Sequence, residues 1–400
     1  MLPISRRTQG LGTENAFVVL GEVNRLLAEG RDIANFCIGQ PDFPTPKNIQ
    51  EAACQAIRDG KHGYTPSPGI PQLRAAVARY FTRTRGVAVE PTDVVCGCGG
   101  KPFIAYTILS VTDYGAGDEV IFPVPGFPIY DAQVKAHGAV ARPLPLRESR
   151  NFSFDMNELK SLVNAKTRLL ILCSPQNPTG GMLSAQDLRD IAAIVRPFED
   201  LWIYSDEVYS QLFYDEKFRS IAAEEGLLER TIVADSLSKT YAMTGWRLGF
   251  AANRKLAPSF ERWVTNTDSC PPHPIQWAGI EALDGPQDEP ARMAAEFRKR
   301  RDRIVAGLNA IEGVSCVNPG GAFYVWPNVS KLCEMTGSAD SEVVRQRLLR
   351  EADLAVLSDV HFGPRIAGEG QHIRFSYAAS LAAIDVGLAR LAAWAKKNRR

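Results

Sequence analysis

Short apolar runs rich in β-branched residues recur through the chain at Asp93-Val94-Val95-Cys96, Glu119-Val120-Ile121-Phe122, Arg168 to Cys173, Leu201-Trp202-Ile203-Tyr204 and Thr231-Ile232-Val233-Ala234. Segments with helical spacing separate most of them, among them Ser184 to Val195 after the Gly180-Gly181 turn. Strands alternating with helices predict an α/β fold with a mainly parallel sheet flanked by helices. Runs this continuously apolar suit strands covered on both faces. In such sheets ligands bind beyond the carboxyl ends of the strands, so the residues following each run are the candidates for chemistry.

With 400 residues, 45% of them apolar and 23% charged, the chain can bury a large domain and a smaller one. Its texture changes after Gly285-Pro286, where Glu289 to Leu308 reads as a long charged helix with Arg298, Lys299, Arg300, Arg301 and Arg303 on a solvated surface. The strand-like Gly320 to Trp326 and His372 to Tyr377, with the helical Ser341 to Ala352 between them, then suggest a smaller α+β domain. The expected division is a large domain over 47–285 and a small one over 286–400. Lys and Arg number 46 against 45 Asp and Glu, so neither nucleic acid nor an anionic membrane is an expected partner. Met1 to Arg7 leads into no apolar signal core and no run approaches a membrane span, so the expected location is the cytoplasm. The eight cysteines include no Cys-x-x-Cys pair and are expected as free buried thiols, with Cys96 at a strand end.

Ser236-Leu237-Ser238-Lys239-Thr240, followed by Gly245 and Arg247, sets a lysine among hydroxyls directly after an apolar run. A lysine amine condenses with an aldehyde, and hydroxyls beside a guanidinium suit a phosphate dianion. Gly97-Cys98-Gly99-Gly100-Lys101 joins a strand to a helix opening at Pro102, whose amide end favours an anion; the motif is also compatible with a tight turn alone. Ser174-Pro175-Gln176-Asn177-Pro178 holds an asparagine at a strand end, either as a donor or as an ordinary turn. Asp206, in Tyr204-Ser205-Asp206-Glu207-Val208-Tyr209, is either a functional carboxylate or a helix cap. Lysine, carboxylate, phenolate donors, a stacking aromatic and an anion site are what pyridoxal phosphate requires.

Taken with Ile38 to Phe43, Gly63-Tyr64-Thr65-Pro66 with Gly69, and Arg374-Phe375-Ser376, these motifs make the chain resemble, nearly end to end, the class I/II aminotransferases, the fold-type-I pyridoxal-phosphate enzymes of the aspartate aminotransferase superfamily. The resemblance implies that Lys239 binds the cofactor and, once freed by substrate, moves the proton between substrate and cofactor. It implies further that Asp206 holds the pyridine nitrogen protonated, that Asn177 and Tyr209 donate to the phenolate oxygen, and that Phe127 stacks on the ring. Gly99, Gly100, Lys101, Ser236, Ser238 and Arg247 match the phosphate cradle. Arg374 matches the partner of the substrate α-carboxylate, with Gly39 supplying an amide to the same group. Tyr64 corresponds to a residue that reaches the phosphate of a neighbouring subunit, which implies a homodimer with composite sites. Residues 1–46 would close over the cleft as part of the small domain.

The implied reaction moves an amino group from an L-amino acid to a 2-oxo acid by a ping-pong course. The alternative is other pyridoxal-phosphate chemistry on the same scaffold, as in a β-lyase, a decarboxylase or an oxidase, because fold does not fix reaction. Two positions depart from the pattern. Cys98 stands where relatives often carry Asn or Pro, and Gly126 where many aspartate-specific members carry Tyr. The resemblance nonetheless allows Lys101 to meet a distal carboxylate, as in some relatives. A regulator built on this domain would need a DNA-binding module, which the charge balance does not lead one to expect.

Overall fold

The computed structural model describes residues 4–9, 11–12 and 15–400; the part of the expected 1–46 segment at 1–3, 10 and 13–14 lies outside the described residues. In chain order the strands are β1 (Ala34–Asn35), β2 (Val94–Gly97), β3 (Glu119–Val124), β4 (Val140–Arg147), β5 (Ser153–Phe154), β6 (Thr167–Cys173), β7 (Trp202–Asp206), β8 (Thr231–Ser236), β9 (Gly249–Ala252), β10 (Tyr324–Val325), β11 (Leu354–Ala355), β12 (Leu357–Ser358) and β13 (Ile373–Ser376). The large sheet runs β2-β9-β8-β7-β6-β3-β4-β5. Its centre is parallel, through the pairs β3/β4, β3/β6, β6/β7 and β7/β8. The expected α/β architecture is therefore present. Leu169 to Cys173 are all buried, as a strand sandwiched between helical layers requires.

Apart from the two-residue strands, two strands of the large sheet are not legible in the sequence. Gly-Phe-Ala-Ala of β9 is too short and too poor in branched residues, yet it pairs antiparallel with both β2 and β8. β4 carries Pro143 and Pro145, which donate no ladder hydrogen bond, and it is tolerated near the sheet's rim beside the two-residue β5.

Register brings Cys173 opposite Asp206, Asp206 opposite Ala234, Ser236 opposite Gly249, and Gly249 opposite Gly97. The ends of five strands thus form one continuous edge, and the functional candidates project from it.

A second sheet, β10-β13-β12, is antiparallel, and β1 pairs in parallel with β11, so the N-terminal segment is sewn to residues far along the chain. The helices Asp288–Asn309, Ser341–Ala352 and Leu381–Lys397 contribute Phe297, Ile304, Leu348, Leu391 and Trp394 to a core with Phe36 and Phe375.

The charged helix is not wholly solvated. Arg298, Lys299 and Arg303 are exposed, but Arg300 and Arg301 are each 4% exposed. Arg300 pairs with Asp42 at 2.6 Å and lies over the Phe43 ring at 4.7 Å, and Arg301 pairs with Asp215 at 2.5 Å. Both sit on the inward stripe of the helix, where a long stem buries while its head meets a carboxylate at the rim.

The cysteines are free, but Cys54 is exposed and Cys98 and Cys270 are half-buried, which corrects the expectation of uniform burial. Among the described residues no helix is long and apolar enough to cross a membrane.

Candidate active site

Beyond the carboxyl edge of the large sheet lies a cavity of about 520 Å³. Ser236 ends β8 and caps the short helix Leu237–Thr240, its hydroxyl accepting from the Ser238 amide at 3.4 Å. This turn carries Lys239 into the cavity, where its Nζ donates to the Gly39 carbonyl at 2.6 Å. Asp206 enters from the end of β7. Its carboxylate accepts from the Tyr130 hydroxyl at 2.7 Å and from the Val208 amide at 3.4 Å. A turn and not a helix follows it, so the capping reading falls away. Burial pushes the Asp206 carboxyl up to about 6, against the opposing hydrogen bonds from Tyr130 and Val208. A carboxylate held this far from water is stabilised by a cationic partner, as a protonated pyridine nitrogen would be.

At the other end of the cavity two backbones touch. A Cβ on Gly249 would stand 2.3 Å from the Gly100 nitrogen, so β9 and the glycine loop pack main chain against main chain. Gly99 adopts φ +93, and a Cβ there would fall 2.2 Å from Arg247 Nη2. The Arg247 guanidinium donates to the Cys98 carbonyl at 3.3 Å and to the Thr244 carbonyl at 2.9 Å. With Gly100, Ser236 and Ser238 it lines the same wall, beside the amide end of the helix Pro102–Val111. Amides, hydroxyls and a guanidinium form a donor set suited to a phosphate dianion.

Arg374 reaches the cavity from β13. Its guanidinium donates from Nη1 to the Asn177 side-chain oxygen at 2.8 Å and from Nη2 to the Cys37 carbonyl, and lies 4.6 Å from the ring centre of Tyr324 and 4.8 Å from that of Phe362. Nε is buried and has no hydrogen-bond partner among the described residues. Phe127 lines the wall, with Lys101 Nζ 5.4 Å from its ring centre. Tyr209 bonds the Tyr324 hydroxyl at 2.7 Å; burial pushes its own hydroxyl well above the ordinary range, so it stays protonated.

The family described as aminotransferase class I and II matches residues 31–391. An aspartate aminotransferase of Bacillus sp. (strain YM-2) is 34% identical over 97% of this chain and 98% of its own. An aspartate/prephenate aminotransferase of Cereibacter sphaeroides is 35% identical over 94% of each. The crystal structure of the aspartate aminotransferase from Rhizobium meliloti superposes with a TM-score of 0.93 at 31% identity, covering 100% of both chains. The chain belongs to the class I and II aminotransferases. It is a pyridoxal-phosphate-dependent transferase of amino groups, with amino acid and oxo acid substrates.

In this aminotransferase Gly39, Gly100, Lys101, Phe127, Asn177, Asp206, Tyr209, Ser236, Ser238, Lys239, Arg247 and Arg374 share one cavity, and Gly99 packs against Arg247 behind it. Tyr64 does not join them; its side chain is 90% exposed.

Sequence reasoning missed Tyr130, although it lies three residues after Phe127, one helical step that turns it toward Asp206. It also missed Tyr324, because a tyrosine in an apolar strand carries no polar signature. The buried group beneath the site went unread as well. There Arg85 Nε pairs with Glu207 at 2.8 Å and its Nη2 with Asp235 at 2.5 Å and Ser210 at 2.6 Å. Asp235 in turn accepts from the Ser236 amide at 2.6 Å. These partners come from a helix and two strand ends, and no spacing in the chain announces them.

Proposed function

We propose that this aminotransferase moves the amino group of an L-amino acid to a 2-oxo acid by a ping-pong course, in the cytoplasm, as a homodimer whose sites are completed by Tyr64 of the second subunit. The convergence of Lys239, Asp206 and Arg374 on one cavity carries this reading. Donor and acceptor each bring an α-carboxylate, and one guanidinium serves both, so they take turns. Pyridoxal phosphate, when bound, supplies the electron sink that stabilises a carbanion at the substrate Cα. Asp206 would hold its pyridine nitrogen, Asn177 and Tyr209 its phenolate oxygen, Phe127 its ring, and Gly99, Gly100, Lys101, Ser236, Ser238 and Arg247 its phosphate. Lys239 Nζ would take the proton from the substrate Cα and pass it to the cofactor, and would run the transfer in reverse with the oxo acid. Arg374, with its unpartnered Nε, binds the α-carboxylate with help from the Gly39 amide and so orients the Cα–H bond.

We further assign 47–285 to a large cofactor-binding domain, 286–400 to a small domain, and 1–46 to a segment that belongs with the small domain and closes over the cleft; the β1/β11 pairing supports the last. The names of the relatives and the Lys101 amine at the cavity wall favour an acidic substrate such as aspartate.

The test is the visible absorption of the protein reconstituted with pyridoxal phosphate, followed as L-amino acids are added singly without any oxo acid. Transamination predicts conversion to the pyridoxamine band with one equivalent of oxo acid per site, aspartate among the responders. Continuous release of ammonia or carbon dioxide would replace this reading with lyase or decarboxylase chemistry.

A further inference from the structure

Three separate parts of the chain meet at the hydroxyl of Tyr324. It bonds the Tyr209 hydroxyl at 2.7 Å. It also stands so close to Gly39 that a Cβ there would lie 2.0 Å from it, and the Gly39 carbonyl is the acceptor of Lys239 Nζ. The Tyr324 ring packs against Tyr209 at 5.6 Å in an edge arrangement, while its face supports the Arg374 guanidinium at 4.6 Å. Tyr324 is 1% exposed. A single side chain from β10 thus touches the proposed phenolate donor, the backbone beside the lysine, and the proposed carboxylate-binding arginine.

We propose that Tyr324 is a positioning residue of the transamination site, whose hydroxyl donates to Tyr209 and so turns the one proton of Tyr209 toward the cofactor's phenolate oxygen. The number of phenolic protons decides the direction. Each phenol carries a single hydrogen. If Tyr209 spent its proton on Tyr324, none would remain for the phenolate; with Tyr324 as donor, Tyr209 is polarised and becomes the stronger donor of the pair. The apolar packing of both rings by Phe323, at 5.5 Å from Tyr209 and 4.9 Å from Tyr324, holds the two oxygens in register. Gly39 is the residue that lets this hydroxyl in, because any side chain there would displace it.

This inference rests on the cofactor placement proposed above, and its test separates the two. Reconstituted parent, Tyr324→Phe, Tyr209→Phe and the double variant are titrated with base while the visible band of the bound cofactor is recorded. A donor to the phenolate favours the deprotonated chromophore, so Tyr324→Phe should raise the pH midpoint, increasing the proton affinity by roughly 3- to 10-fold, the scale of one neutral hydrogen bond. Tyr209→Phe should raise it at least as far, and the second change should add nothing in the Tyr209→Phe background. The ring under Arg374 is retained in Tyr324→Phe, so the KM for the amino acid should change less than about 3-fold, the loss of one weak contact. A parent-like midpoint in Tyr324→Phe, or an equal shift with and without the Tyr209 hydroxyl, overturns the positioning role while leaving the cofactor site intact. A parent protein with no cofactor band in the visible overturns both.

Discussion

Two buried arginines, Arg374 in the cavity and Arg85 beneath it, carry the same charge in opposite company. Arg85 is met by the carboxylates of Glu207 and Asp235, by the hydroxyls of Ser210 and Thr84, and by the rings of Tyr80 and Phe81. Arg374 also lies over two rings, but among the described residues its polar partners are an amide oxygen and a carbonyl, its Nε has none, and no carboxylate pairs with it. A buried guanidinium is costly unless an anion answers it. Arg85 finds its anions within the fold, so it is structural; Arg374 leaves the place open, and the α-carboxylate of a substrate fills it in the proposed function. In the proposed function the missing carboxylate distinguishes the binding arginine from the scaffold arginine, and burial alone does not tell them apart.

That contrast can be broken experimentally. The largest effect should come from Arg374→Ala, which removes two charge-assisted bonds worth roughly 1.5–3 kcal/mol each and should lower kcat/KM for every α-amino acid by about 10²- to 10⁴-fold. Urea unfolding of the same variant should show a smaller loss of stability than a change at Arg85, since no buried carboxylate is left without its cation. Loss of folding instead would make Arg374 a second Arg85.

Arg85→Met should behave in the reverse sense. Leaving Glu207 and Asp235 buried without a cation should cost about 3–5 kcal/mol, measured by chemical denaturation. A variant as stable as the parent would remove Arg85 from the scaffold class.

The carboxylates supply a third test. Burial holds Asp206 and Asp235 up at about 6, above the ordinary aspartate range, so the folded protein without cofactor binds protons that the unfolded chain has released. The stabilisation is complete below about pH 4 and is lost as pH rises through about 6, by a total on the order of 2–3 kcal/mol for each group. Urea midpoints between pH 4 and 7 should therefore fall with rising pH. The Asp206 share should vanish in Asp206→Asn and when cofactor is bound, whereas the Asp235 share persists. A slope that cofactor leaves untouched would contradict the placement of Asp206 opposite a cation.

The smallest effect should come from Arg303→Ala. Its pair with Asp385 at 2.6 Å is open to solvent on both sides, so stability should change by less than about 1 kcal/mol in the same assay.

How much of this was legible without coordinates follows from the range of the interactions. Lys239, Asp206 and Asn177 could be found because each follows an apolar run, and an α/β sheet delivers strand ends to one edge. Arg300 and Arg301 were misread as solvated because charge along a helix looks alike on either face until Asp42 and Asp215 are seen beneath it. β9 was invisible because it is made a strand by its neighbours β2 and β8, not by its own residues.

Local periodicity set the alternation of buried strands and covering helices, and the ordered cofactor motifs carried the resemblance to the family, because both lie in residues close together in the chain. Only the tertiary structure decided which arginine keeps an open donor, that Tyr130 holds Asp206, and that Tyr324 stands between Tyr209 and Gly39. Those facts are contacts between residues far apart in the chain, and they exist only once packing has excluded water from between them.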